Sequence, residues 1–147
     1  MHIPTDNLTP DDIRPDADLT GVSLAGATLS DVDLSGASLD KTNLRNVDLS
    51  GADLSTATLT KANVTNANLK NTDLTNANLQ HADLSEAGLS YADLSGAILY
   101  GADLSGADLR FAALNGADLR QTGLSLNEFK KAGAAVCGAD IRGESRE

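Results

Sequence analysis

Every fifth residue is the same. Leucine stands at Leu19, Leu24, Leu29 and onward to Leu124, with Val64 the one substitute, which makes 22 consecutive units between Ala17 and Ser125. Two residues before each of these centres lies Ala, Val or Thr, from Ala17 to Thr122. The residue just before the centre is most often Asp or Asn, and the two after it are mostly polar or glycine, as in Ser35-Gly36 and Ser50-Gly51.

Neither common period fits this spacing. On an α-helix, successive fives fall about 140° apart, so the leucines would spread around the axis. On a plain strand, they would alternate between faces. Glycine and turn-forming residues recur within the unit, which also disfavours a long helix. A fixed repeat is instead a unit that stacks on its neighbours and buries their apolar side. A short extended piece followed by a sharp corner satisfies a unit of five. The centre and the small residue two before it then point inward together. If four units close one turn, residues twenty apart in sequence stack, with backbone pairing at about 4.8 Å per level. The repeat would then make a rod roughly 26 Å long.

Over Ala17 to Ser125 the chain resembles the pentapeptide repeat proteins. The resemblance implies an all-β fold, a right-handed quadrilateral β-helix (a pentapeptide repeat solenoid) with a short helical C-terminal cap. The expected organisation is one domain over 1–147: an N-terminal cap over 1–16, the repeat over 17–125, and a helix and strand cap over 126–147. Some members of that family inhibit gyrase or protect it from quinolones, so a topoisomerase partner is among the expectations. Gyrase-associated members often mix phenylalanine into the centre position, whereas leucine dominates here.

Formal net charge is −10, from 21 acidic and 11 basic residues. Such a balance keeps a chain soluble and disfavours direct contact with nucleic acid or anionic lipid. No secretory signal and no membrane-length apolar run are present, so the expected location is the cytoplasm. Cys137 is the one cysteine, which excludes an internal disulfide. His2, His81 and Cys137 are scattered, without the spacing of a zinc site or a Cys-His pair. No cofactor, metal or enzymatic activity is expected.

If residues twenty apart stack, Asp33, Asp53, Asp73 and Asp93 form a column of carboxylates. The structural explanation is that Asp and Asn hold the turn by local side-chain bonds. The functional one is an array resembling duplex phosphates. Asn43, Asn63, Asp83 and Asp103 form a second line. Lys41, Lys61 and His81 make another side partly basic. Tyr91 and Phe111 stack outward, with Tyr100 nearby on an adjacent face, as a contact surface or as simple cross-level pairs. Ile98 takes a place normally held by Asp or Asn.

Both ends leave the register. Thr9-Pro10-Asp11-Asp12 carries helix-start signals. Ser125 to Ala132 reads as a short helix, capped by Ser125 or Asn127 and stopped by Gly133. Leu126 and Phe129 would lie over the last turn as a lid, or meet a second copy of the chain in a homodimer. Ala135-Val136-Cys137 and Ala139-Asp140-Ile141 look like a strand or one more irregular repeat. Residues 143–147 are expected to fray. Two functions follow: a noncatalytic interaction module presenting an acidic rod to an unknown protein, and alternatively a DNA mimic that binds gyrase or a related topoisomerase.

Overall fold

The computed structural model describes residues 1–4 and 7–142. Its organising fact is a parallel pairing of each level with the level twenty residues on. Asp18 pairs with Ser38, Ser23 with Asn43, Thr28 with Asp48 and Asp33 with Asp53, and the same four columns continue to Asp118.

Each unit distributes its N–H groups in the same way. The centre N–H reaches the next level, as Leu34 to the Asp53 carbonyl at 2.8 Å, and the corner N–H does likewise, Gly36 to the Ser55 carbonyl at 2.9 Å. The residue before the centre bonds to the level below, Asp53 N–H to the Val32 carbonyl at 2.9 Å. The small residue closes the turn locally, Ala37 N–H to the Leu34 carbonyl at 3.0 Å. The fifth N–H is left to a side chain.

The corner lies two residues after the centre, and there the chain turns through the left-handed region. All of these positions from Asp16 to Gln121 have positive φ: glycine holds eight, and non-glycine residues hold fourteen at 56–61°. L-residues carry a steric cost there. Thr56, a β-branched residue, sits at φ 57°.

The same corners correct the expected fold class. Among the described residues no strand forms. The regular elements are a 3-10 turn at Pro10–Asp12 and one helix, α1, at Leu126–Lys131. The pairings are isolated single-residue bridges. A left-handed residue at every fifth position leaves too short an extended run for consecutive paired residues, so the structure is a stack of turns joined by single bridges. It is not an all-β right-handed quadrilateral β-helix, and the description as a β-helix solenoid does not hold.

The core is the column of centres. Leucines Leu19 to Leu119, with Val64, are all buried, and alanines such as Ala57, Ala77 and Ala97 are buried beside them. Large and small residues thus alternate around a narrow interior, which fills without overpacking. Where threonine replaces alanine its hydroxyl is satisfied: Thr42 donates to the Leu19 carbonyl and Thr72 to the Leu49 carbonyl, both at 2.8 Å.

At the N-terminal end, His2 pairs antiparallel with Thr28, donating at 3.1 Å and accepting at 2.8 Å. Ile3, Leu8 and Ile13 pack against the core there. Asp12 accepts from the Thr9 N–H at 2.7 Å and the Thr9 hydroxyl at 2.9 Å.

At the other end Ser125 caps α1, and the Glu128 carboxylate takes the Ser125 N–H at 2.7 Å. Ser125, not Asn127, is the cap. After Gly133 the chain rejoins the stack: Ala113 pairs with Ala135 and Asp118 with Asp140, now twenty-two residues apart. Val136 and Ile141 take the centre places, so this segment is two further repeat units displaced by two residues, and not a strand. The expectation of fraying over 143–147 lies outside the described residues.

Two substitutions have opposite expected signs. Leu74→Ala opens a cavity in the buried column and should cost about 2–5 kcal/mol in urea unfolding. Thr56→Gly relieves an exposed left-handed corner and should raise stability by about 1 kcal/mol.

Candidate functional site: a row of aspartates on one face

The fifth N–H of the unit belongs to the residue after the centre, and the Asp or Asn before the centre accepts it. Ser35 N–H donates to Asp33 Oδ1 at 3.0 Å, and the N–H groups of Ser55, Thr75 and Ser95 donate to Asp53, Asp73 and Asp93, each at 2.9 Å. The Ser35 and Ser55 hydroxyls donate to the same oxygens at 2.7 and 2.6 Å. Asparagine accepts in the same way, with Thr65 N–H reaching Asn63 Oδ1 at 3.2 Å and Gln80 N–H reaching Asn78 Oδ1 at 3.1 Å. Where Thr58 stands before the centre, Asp40 from the level below takes the Thr60 N–H at 2.7 Å.

Where a side chain takes this N–H it supplies an oxygen and need not be charged, and Gly88, Ile98 and Ala113 hold the same place without one. Charge separates the four columns. Asp33, Asp53, Asp73 and Asp93 are bridged in sequence, and no Lys or Arg lies among residues 32–36, 52–56, 72–76, 92–96 or 112–116; the exposed Arg14 lies one level below, where the Asp16 N–H donates to the Ser35 carbonyl. The column of Asn43, Asn63, Asp83 and Asp103 is neutral in its lower half, with Arg45 alongside. The side with Lys41 and Lys61 balances its acids with these lysines and Arg120. Two carboxylates about 5 Å apart in water repel by about 0.8 kcal/mol. A charged acceptor strengthens each turn bond, but an alternation of Asp and Asn would keep the bonds and reduce the repulsion. The turn accepts either residue, so it does not by itself require four aspartates in one line.

Hydrogen bonds lower several of these acids. The Ser35 hydroxyl, then its N–H, holds Asp33 below the usual carboxylate range. Ser50 does this for Asp48 and Ser105 for Asp103.

The three aromatics singled out in the sequence divide into two groups. Tyr91 and Phe111 stack with ring centroids 5.1 Å apart at 24°, and they are 56% and 61% exposed. Tyr100 lies on a different side, edge-on to His81 at 5.5 Å and under the Arg120 guanidinium at 5.5 Å. The reason is the four-sided path: nine residues carry the chain from Tyr91 past the Asp33 face to the next one. Ile98 bridges Asn78 and Asp118 and is half-buried. Phe129 is 0% exposed and Leu126 is half-buried. Phe129 thus belongs to the cover of its own chain and presents nothing to a second copy.

A clamp at the C-terminal end went unread in the sequence. Arg120 bonds Asp118 through two nitrogens, at 2.8 and 2.7 Å, and Arg142 bonds Asp140 in the same way, at 2.9 and 2.7 Å. Arg120 also lies 3.8 Å from Asp140, which links the displaced units to the stack. The recurring Asp-Leu-Arg and Asp-Ile-Arg triplets were the available signal. Among the described residues, no group of three or more His, Cys, Asp or Glu could hold a metal ion. No helix there is long and apolar enough to cross a membrane.

The family model for pentapeptide repeats matches residues 17–55, 52–90 and 87–125. The chain belongs to the pentapeptide repeat family. No curated protein matches it. A pentapeptide repeat protein of Nostoc Pcc 7120, solved by crystallography, shares 43% identity with this one over 71% of this chain and 84% of that chain, with a TM-score of 0.61. A pentapeptide repeat protein of the cyanobacterium Cyanothece 51142 shares 27% identity over 86% of this chain and 88% of that chain, with a TM-score of 0.52.

The lowered acids set a pH dependence for this pentapeptide repeat protein. A carboxyl whose folded value lies below its ordinary 3.8 adds stability that is fully present above the unfolded value. That stability is lost as pH falls through the folded value. Urea midpoints should be flat above about pH 5 and fall below about pH 4. The triple variant Asp33→Asn, Asp48→Asn, Asp103→Asn should show a shallower acid limb.

Proposed function

We propose that this protein is a noncatalytic binding module whose Asp33 face occupies the basic, duplex-accommodating groove of a DNA-handling protein, with gyrase or a related topoisomerase as the target to test first. One observation carries the reading: four aspartates stand in line on levels that hold no Lys or Arg on this side, although asparagine makes the same turn bond elsewhere in the chain. A row of fixed carboxylates steers toward a basic groove and weakens with salt. Family membership supports a protein-binding role. The face presents fewer charges than a duplex of the same length, which carries one per about 1.7 Å, so the reading requires a partner that a single row can engage.

The test is a supercoiling assay with gyrase at two salt concentrations. The protein should inhibit, less strongly at the higher salt, and the variant Asp33→Asn, Asp53→Asn, Asp73→Asn, Asp93→Asn should lose inhibition while its melting temperature stays near that of the parent. Equal inhibition by parent and variant would exclude the acidic row.

A further inference from the structure

The chain has two Tyr and two Phe. Phe129 fills the interior under α1, and Tyr100 is engaged by His81 and Arg120. The remaining two, Tyr91 and Phe111, stand on the surface, stacked on each other at left-handed corners of φ 60°. Asn71 occupies the same corner column one level down, so the fold does not require an aromatic there. Their corner borders the acidic face: Tyr91 is two residues before Asp93, and Phe111 two before Ala113, where the row of carboxylates has ended. Arg110, beside Phe111, is held by Asp108 through two bonds of 2.8 and 2.7 Å, so its charge is already matched.

We propose that the Tyr91–Phe111 stack and the Asp33 row form one docking surface, wrapped around a corner of the coil, and that its occupant is a protein groove with a basic floor and an apolar rim. This rests on the acidic row acting as a binding face and adds to it. Duplex DNA carries no protruding apolar side chains, so a groove that reads only phosphate charge gains nothing from the rings. A groove with an apolar rim gains both a selective contact and a fixed register along the row. The two parts act through different physics. The carboxylates contribute a salt-sensitive attraction. The rings contribute burial of apolar surface, which salt does not screen, and aromatic anchors of this kind commonly dominate an interface.

The experiment measures binding of the full chain to gyrase over a series of salt concentrations, for the parent, Tyr91→Asn with Phe111→Asn, and the four-fold Asp-to-Asn variant. Asparagine is the substitution this corner column already accepts, and melting curves verify folding. The aromatic variant should bind at least tenfold more weakly with an unchanged salt slope, while the Asp variant should flatten the slope. Equal affinity of parent and aromatic variant would overturn this inference and leave the acidic row standing. No binding by the parent would overturn both. A parent dimer in sedimentation that dissociates on the aromatic substitutions would also overturn it, by placing a second copy on the rings.

Discussion

The structure depends on where five N–H groups per unit find acceptors. Three are taken by backbone carbonyls one level above or below, and one closes a local turn, as at Leu34, Gly36, Asp53 and Ala37. Where Asp or Asn stands before the centre its side chain accepts the last, as Asp33 accepts from Ser35. Backbone donors near a buried column cannot be left without partners at low cost. This accounting explains why the repeat has five residues, why the position before the centre is rich in Asp and Asn, and why the corner must enter the left-handed region. Leucine burial supplies the driving force, and the hydrogen-bond scheme selects which stack of turns the chain adopts.

Charge is the variable that the scheme leaves free. Asn63 and Asn78 show that a neutral amide serves the turn, so the distribution of Asp over Asn around the coil is open to other pressures. The result is uneven, with no Lys or Arg on one face from the Asp33 level upward and another face carrying Lys41, Lys61 and Arg120. The corners are a second free variable. Eight hold glycine, the residue with the least strain there, yet Tyr91 and Phe111 stand at two others.

Much of this was legible along the chain. The buried leucine column follows from spacing, the pairing of positions twenty apart was implied by the family resemblance, and local chemistry offered Ser125 or Asn127 as the cap, of which the structure takes Ser125. The expected all-β class was wrong for a physical reason: the corner at every fifth residue interrupts each extended piece, so pairings stay single. The ends were harder to read. The His2–Thr28 pairing joins residues whose sequence carries no turn signal. The stacking of Tyr91 on Phe111 was legible from their separation of twenty, whereas the contacts of Tyr100 with His81 and Arg120 were not.

By itself the sequence determined the period, the inward residues and the chemistry of each turn, because these depend on contacts within five residues or at a fixed multiple of five. Tertiary structure alone decided how the ends join the stack. The two-residue displacement after α1 sets Ala135 over Ala113 and Asp140 over Asp118, and it brings Asp140 within 3.8 Å of Arg120 across the levels. Such contacts depend on a shift of register across a helix, which no local preference encodes.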